Sequence, residues 1–335
     1  MAHLTISPRE SRRHWRRLVT IGVLVLVLLT ALYFYVGYRV YTQLGDVSHS
    51  CEQHFGNRPD HFTNVSMWPE MDWASYFMDA YETVTFPSRN PGIELSGWYM
   101  AGNPEAPAVI LVDGLGGCKY AQAVLVPAGM LWHHGFNVLL LDLHETGDSA
   151  VDDGYSTVGA DEYLDIEGAW DWLIADKGFT PDRIGVSGNS LGGATALYAF
   201  ADEPRMAALF LNSPIANLPQ VIREELARVG YPSWLAPGGI VMARLLTGQN
   251  IVARNPLVEI QQLGNRPVFV VHGTADKRVA VHHSQQLEAA AQAVGANVTF
   301  WYVPGADHVR AAAVFPDEFE TRLVDFFCGA LTGCK

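Results

Sequence analysis

A serine flanked by glycines stands at the turn between an apolar strand and a small-residue helix. The stretch Arg183 to Ala201 reads RIGVSGNSLGGATALYAFA, and Ser190 is the centre of the pattern G-x-S-x-G. A serine on so sharp a turn projects its hydroxyl away from the backbone, and the N-terminus of the next helix favours developing negative charge. Side chains at Gly188 and Gly192 would collide as the chain folds back. We predict that Ser190 is a nucleophile; the alternative is a glycine turn with a bystander serine.

A nucleophilic serine needs a base that accepts its proton and a third group that orients the base. Such groups lie at the carboxyl ends of the strands in an open α/β sheet. Asp276 comes just after the apolar run PVFVVHG, and His308 ends the stretch VTFWYVPGADH. Serine, aspartate and histidine thus occur in the chain order that this kind of sheet requires. We favour Asp276 over Asp307, because a residue adjacent to the base seldom reaches its far nitrogen. Three other histidines are expected to be structural: His272, His282 and His283.

The oxyanion of a tetrahedral intermediate needs backbone N–H donors. We expect one from Leu191, the residue after the nucleophile. We expect the second from Leu115, within the loop 113–117 (DGLGG) that follows the predicted strand Ala108 to Val112. The glycines of this loop also suggest a dinucleotide fingerprint, but Lys119 stands where the third glycine belongs. The sequence therefore predicts that the loop 113–117 forms part of an oxyanion hole and not a dinucleotide site. We expect no cofactor.

The four cysteines would meet an oxidising environment if the main domain lies outside the cytoplasm. Three full pairings of Cys51, Cys118, Cys328 and Cys334 are open, and a local bridge between Cys328 and Cys334 is the one we favour. The alternative is that some or all of the four are free thiols. Cys51 and His54 resemble half of a zinc site, yet no second closely spaced pair completes it. We therefore expect no metal.

The elements that position these residues follow from the apolar pattern. Glu82 to Phe86 and Ile93 to Met100 alternate, which predicts an antiparallel pair. Six further runs are continuously apolar, which is typical of parallel strands buried on both faces. These runs are Ala108 to Val112, Asn137 to Leu141, Ile184 to Ser187, Ala207 to Leu211, Val268 to Val271 and Val298 to Val303. Helical periodicity at Tyr163 to Leu173 and at His282 to Val294 predicts helices between them. The alternation implies an α/β fold with a mostly parallel sheet and helices on both faces.

One long segment, Ile215 to Leu263, interrupts this alternation. It contains two amphipathic stretches, Leu218 to Val229 and Ile240 to Leu246. An insertion of this length between two core strands is usually a lid or a binding element. Its many apolar residues predict a pocket for an acyl or other apolar group, and the alternative is a simple cover for the sheet edge.

The N-terminal region predicts a membrane anchor. Leu18 to Tyr38 carries no charge, and its 21 residues would extend roughly 31 Å as a helix, enough to cross a bilayer. A cleaved signal peptide is the rival interpretation, but its apolar run is usually only ~7 to 15 residues and ends in an A-x-A-like site. Five arginines precede the span, so the positive-inside rule places the N-terminus in the cytoplasm and the main domain outside it.

Over roughly Tyr81 to Cys328 the chain resembles the α/β-hydrolase superfamily, especially membrane-tethered bacterial members near the serine aminopeptidase and lysophospholipase-like branch. The matching stretches are LVDGLGG, NVLLLDLHETGDS, GVSGNSLGG, VVHGTAD and PGADH. The resemblance implies a helical cap between the sixth and seventh strands, which Ile215 to Leu263 would supply. It also implies the triad Ser190, Asp276 and His308, with oxyanion donors at Leu115 and Leu191.

The chain departs from the family where most relatives have histidine and this chain has Asp113. A carboxylate there would oppose an oxyanion unless it points away or pairs, for example with Lys119. This departure keeps a second hypothesis open, a catalytically silent α/β-hydrolase fold that serves as a membrane-anchored binding protein.

The predicted organisation is a basic cytoplasmic tail (1–17), a transmembrane helix (18–38), a juxtamembrane segment (39–80) and an α/β-hydrolase domain (81–335) with its cap at 215–263. The net charge is −13 at pH 7, and no Lys/Arg run lies outside the tail, which disfavours nucleic acid as a partner. The predicted function is a membrane-anchored serine hydrolase that cleaves small-molecule esters or amides through an acyl-enzyme. A serine peptidase rather than an esterase is the alternative within enzymes.

Overall fold

A computed structural model describes residues 8–48, 51–63, 71–248 and 250–334. Residues 1–7 of the predicted basic tail lie outside the described residues. So do residues 49–50 and 64–70 of the predicted juxtamembrane segment.

The described residues form an eight-stranded sheet in the order β1-β2-β4-β3-β5-β6-β7-β8. The strands are β1 (Glu82–Pro87), β2 (Glu94–Met100), β3 (Ala108–Val112), β4 (Asn137–Leu141), β5 (Ile184–Asn189), β6 (Ala208–Asn212), β7 (Val268–Gly273) and β8 (Val298–Val303). β2 is antiparallel to both β1 and β4, and every other neighbouring pair is parallel. The carboxyl ends of β3 to β8 therefore share one edge, as the sequence predicts for an α/β fold.

Helices cover both faces of this sheet. The helices of the described residues are α1 (Pro8–Gly45), α2 (Gln122–His133), α3 (Tyr163–Ala175), α4 (Ser190–Asp202), α5 (Leu218–Arg228), α6 (Ala236–Thr247), α7 (Pro256–Glu259), α8 (His282–Val294), α9 (Ala311–Val314) and α10 (Pro316–Ala330). Alternate residues of the central strands face opposite sides: in β3, Leu111 packs in the core formed with α2 and α10, and Ile110 packs in the core formed with α3, α4 and α8. Two buried cores, one on each face, hold the sheet rigid beneath its loops.

One strand, β8, is more exposed than its apolar sequence predicts. The apolar run Val298 to Val303 forms β8, but most of its side chains are only partly buried. The reason is its position, because β8 is the last strand of the sheet and has a neighbour on one side only. An apolar run thus does not by itself distinguish a central strand from an edge strand.

The long insertion lies where the sequence places it, between β6 and β7, and consists mainly of the helices α5, α6 and α7. The end of α1 packs against α6 at small residues: a Cβ added to Gly37 would lie 2.6 Å from the carbonyl carbon of Gly238. Glycine lets two helix backbones approach this closely.

The segment between α1 and β1 packs into the main domain. Phe62 and Met78 are fully buried in the core on the α2 side of the sheet. A disulfide joins Cys51 to Cys118, and a second joins Cys328 to Cys334, the local bridge favoured from sequence.

Candidate active site

Ser190 stands at a strained turn. β5 ends at Asn189 and α4 begins at Ser190, whose φ of 53° lies in the left-handed region that L-residues other than glycine rarely adopt. A Cβ at Gly188 would lie 2.5 Å from the Gly192 carbonyl oxygen, and one at Gly192 would lie 2.1 Å from that of Asp113. Both flanking positions therefore require glycine, for the steric reason predicted from sequence.

His308 and Asp276 are brought into direct contact, although 32 residues separate them. His308 Nδ1 lies 2.7 Å from Asp276 Oδ2. A carboxylate only accepts, so Nδ1 carries the proton and donates it, which leaves Nε2 as a proton acceptor. Asp307 does not compete for this role: its carboxylate accepts the backbone N–H groups of Lys277 and His308 at 2.9 and 2.8 Å.

The carboxylate of Asp276 is held by donors from its own loop and from β7. Its Oδ1 accepts the N–H groups of Arg278 and Val279 at 2.9 and 2.8 Å. His272 Nε2 lies 3.2 Å from its Oδ2 and 2.8 Å from the Val279 carbonyl oxygen. Burial raises the pKa of Asp276, but the hydrogen bonds from His272 and His308 outweigh burial and leave the pKa below its ordinary value. Asp276 is thus an anion in the fold.

His272 is a residue of the site whose contribution sequence reasoning missed. It is fully buried, and its Nε2 lies against two groups that only accept, the Val279 carbonyl oxygen and the Asp276 carboxylate. Nε2 therefore carries the proton, and Nδ1 accepts a hydrogen bond from Ser284 Oγ at 2.6 Å. The only sequence signal is its place in the run VVHGTAD, at the end of β7 and four residues before Asp276.

The loop after β3 stands against Ser190. A Cβ at Gly114 would lie 3.0 Å from Ser190 Cβ, and Leu115 lines the same cavity as Ser190 and Leu191. Leu191 is the second residue of α4, where backbone N–H groups have no partner within the helix. The structure therefore brings together the two residues that the sequence predicts as oxyanion donors.

The suggested pairing of Asp113 with Lys119 is wrong. Lys119 is fully buried and contacts Asp142 and Asp148 instead, the latter at 2.7 Å. Asp113 Oδ1 accepts from Asn189 Nδ2 at 3.3 Å. Asp142 and Asp148 belong to the loop after β4. Their contact with Lys119 depends on the fold and cannot be inferred from the spacing between residues 113 and 119.

An apolar cavity of about 280 Å³ opens at Ser190, close to the lower limit of ~300 Å³ for ligand pockets. Its apolar lining includes Val40, Tyr41, Leu115, Leu191, Ile215, Leu218, Val221, Ile222, Ile240, Ile251 and Val279. These residues come from the end of α1, the loop after β3, the start of α4, the cap and the Asp276 loop. Asp46, Glu225 and Arg278 are charged residues of the same lining. The cavity suits an apolar group of modest size next to Ser190.

Three groups with metal-ligand chemistry, Glu224, His282 and His283, lie between the cap and α8 with their ligand atoms within 4.8 Å of one another. Their hydrogen bonds oppose metal binding. His283 Nδ1 accepts the Ala216 N–H at 3.2 Å, so Nε2 carries the proton and donates to Glu224 at 3.0 Å. The hydrogen bonds of these three side chains connect α5 to α8. The half zinc site considered for Cys51 and His54 is ruled out as well, because Cys51 is bonded to Cys118.

The mostly parallel sheet, the helical cap after β6 and the serine at a strained strand-to-helix turn define an α/β-hydrolase. The prolyl oligopeptidase family matches residues 129–334, and the chain belongs to that family. It is accordingly a serine hydrolase of esterase-like or peptidase-like type.

Proteins similar to this chain include an esterase, and a peptidase that has the same fold. An uncharacterised protein of Mycobacterium tuberculosis is 32% identical over 219 residues, 65% of this chain and 69% of that protein. The Pyrococcus furiosus esterase Pf2001 is 26% identical with a TM-score of 0.61, covering 75% of this chain and 93% of the esterase. The Pyrococcus horikoshii acylaminoacyl peptidase shares the fold at 16% identity and a TM-score of 0.58, over 76% of this chain and 42% of the peptidase.

Proposed function

We propose that this serine hydrolase cleaves carboxylic esters through an acyl-enzyme on Ser190, with His308 as the general base and Asp276 as the group that orients it. The hydrogen bond between His308 Nδ1 and Asp276 Oδ2 carries this proposal, since Val279 of the Asp276 loop lines the same cavity as the strained Ser190.

In the first half of the reaction, Ser190 Oγ attacks the ester carbonyl and its proton passes to His308 Nε2. The N–H groups of Leu191 and Leu115 stabilise the oxyanion. The C–O bond then breaks, and the alcohol leaves with the proton from His308. In the second half, a water molecule gives a proton to His308 and attacks the acyl carbon. The bond between that carbon and Ser190 Oγ then breaks, the carboxylic acid leaves, and the proton from His308 restores the Ser190 hydroxyl. The buried anion of Asp276 stabilises the imidazolium in both halves.

The cavity supports an ester with an apolar acyl group. Each methylene that enters it contributes up to about 0.8 kcal/mol, and the acidic chain should repel anionic substrates at low salt. We therefore expect kcat/KM for p-nitrophenyl esters to rise from acetate to medium chain lengths, and to be lower for an anionic ester. A flat series, or a preference for the anionic ester, would mean that the cavity does not bind the acyl group.

A peptidase is the second candidate, supported by the match to the prolyl oligopeptidase family. The carboxylate of Glu225, which lines the cavity and pairs with Arg228 at 2.6 Å, would receive the amino end of a substrate. Aminoacyl p-nitroanilides assayed beside the esters separate the two candidates: a higher kcat/KM for an anilide than for every ester would favour the peptidase. The matched variant Glu225→Gln should then lose anilide hydrolysis and keep ester hydrolysis.

We also propose that α1 is a permanent anchor, with the chain organised as tail, anchor, juxtamembrane segment and capped hydrolase domain. Its residues 12–43 are long and apolar enough to cross a membrane, a test that a signal sequence also passes. Support for an uncleaved helix comes from its end, because Val40 and Tyr41 are buried against the cap and line the cavity. Removal of α1 would take away a wall of the cavity.

A further inference from the structure

The cap exposes large apolar side chains on one side of α6. Trp234 is 64% exposed, Leu245 is 69% exposed, and Val241 is exposed between them. Their separations of seven and four residues place them on one face of the helix and the turn before it. We call these three residues the cap stripe. Among the described residues, the cap stripe belongs neither to the lining of the cavity nor to the buried clusters of the cap. An exposed apolar stripe of this kind marks an interaction site.

The cap stripe is continuous with the apolar surface of α1. The ring of Tyr33 stacks on Trp234 with centroids 5.9 Å apart and an interplanar angle of 14°, and the Tyr33 hydroxyl donates to the Trp234 carbonyl oxygen at 3.3 Å. The backbone of Gly37 touches Gly238 one turn further along α1. These contacts fix the position of α6 along the axis of α1.

The level of this contact relative to the bilayer can be estimated from helix geometry. Tyr33 is five residues before Tyr38, the end of the apolar span, which is about 7.5 Å along the axis of α1. Helices that lie in a membrane interface bury their apolar face about 5–10 Å into the headgroup and acyl boundary. Tyrosine and tryptophan concentrate in that layer. The stacked pair Tyr33 and Trp234 thus lies at the depth expected of an interfacial contact.

We propose that the cap stripe docks into the membrane interface beside α1, and that the cavity receives the acyl chain of an ester dissolved in that bilayer. The same two helices border both places: Val40 and Tyr41 of α1 and Ile240 of α6 line the cavity, while the opposite side of α6 carries the cap stripe. The inference rests on the proposed anchor and the proposed esterase activity. It adds the lipid phase as the source of the substrate.

The catalytic test compares two double variants of the full-length protein in vesicles. Val241→Glu with Leu245→Glu places two charges in the cap stripe. Val258→Glu with Val294→Glu makes a matched change at exposed apolar residues of α7 and α8. We expect the first variant to hydrolyse a long-chain ester embedded in the vesicles at least tenfold more slowly than the parent, and to hydrolyse a water-soluble short ester at the parental rate. The control should match the parent on both. Equal loss on both esters, or no loss on the embedded ester, would overturn the proposal.

A second measurement does not depend on activity. The fluorescence of Trp234 is the difference in tryptophan emission between the Ser190→Ala protein and the same protein with Trp234→Phe. Lipids brominated near the headgroup should quench this difference. If the difference is insensitive to brominated lipid, Trp234 faces water and the docking surface is wrong. Quenching of Trp234 in a protein that hydrolyses no ester would instead uphold the docking surface and overturn the proposed function.

Discussion

At the scale of single residues, the donors around Asp276 explain how a buried carboxylate stays charged. Two backbone N–H groups and the two imidazoles of His272 and His308 point at its oxygens. Such an anion fixes the tautomer of His308 and would stabilise its protonated form during the reaction.

Asp276→Asn removes the charge and keeps the shape. We expect kcat to fall by about 10⁴-fold, because an amide donates as well as accepts and favours the wrong imidazole tautomer. Steady-state kinetics on a soluble ester checks this, with circular dichroism as the control for folding. A loss below tenfold would show that Asp276 does not orient the base.

His272→Gln tests a positioning residue rather than a catalytic one. With one donor weakened, the pKa of Asp276 should rise toward its ordinary value, since the hydrogen bond from His272 helps to hold it down. We expect a loss of about tenfold in kcat with little change in KM. Because a carboxylate with fewer donors holds a protonated imidazole more strongly, the acid limb of the pH-rate profile should move upward. An unchanged pH profile would restrict His272 to a structural role.

The sequence could predict the residue types of the site because each follows a recognisable apolar run. It could not predict the partners of Asp113 and Lys119, since those depend on how the loops after β3 and β4 cross. The role of His272 was hidden for a similar reason. Its tautomer is set by two acceptors that the folded chain brings to Nε2, the Val279 carbonyl oxygen and the Asp276 carboxylate.

At the scale of elements, the connection between β4 and α3 contains a buried charged pair. His144 Nδ1 lies 2.6 Å from Asp165 Oδ2, and the same oxygen accepts the His144 backbone N–H at 2.8 Å. Burial lowers the pKa of His144, but the hydrogen bond and charge of Asp165 outweigh it and raise the pKa to about 9.

This pair predicts a pH dependence of stability. Because the folded pKa of His144 lies above the unfolded value of about 6.5, its contribution is complete below pH ~6.5 and is lost as the pH rises toward 9. We expect the Tm of the full-length protein in detergent to fall by about 5–10 °C across this range. His144→Gln should reduce that fall. An equal fall in parent and variant would assign the effect to other groups.

Most strands were predictable because buried parallel strands are continuously apolar, whereas the exposure of β8 depends on sheet order. α2 and α10 escaped notice, since neither carries a chemical motif. The contribution of α1 to the cavity was not predictable either. It depends on the contact between Gly37 and Gly238, two glycines about 200 residues apart in sequence.

At the scale of the whole molecule, the arginine-rich start of the chain favours one orientation in the membrane. Five arginines precede the apolar span and one, Arg39, follows it closely. From the positive-inside rule we propose that the N-terminus lies in the cytoplasm and the hydrolase domain outside it. An outside location also agrees with the two disulfides.

Fusions to the C-terminus check this orientation. A reporter that is active only outside the cytoplasm should work, and one that is active only inside should not. Moving the arginines from before the span to just after it should weaken or invert the result. Activity of the cytoplasmic reporter in the unaltered protein would contradict the proposed topology.

The central claim is that Ser190 is an activated nucleophile, and site-mapped labelling with a fluorophosphonate probe tests it most directly. The probe reacts with a serine whose proton is withdrawn by a base, so it should attach to Ser190 in the full-length protein and fail to attach in Ser190→Ala or His308→Ala. Ester turnover in Ser190→Ala should fall by at least 10³-fold. Absence of label from the peptide that contains Ser190, or turnover in Ser190→Ala within tenfold of the parent, would contradict the account and favour a silent fold used for binding.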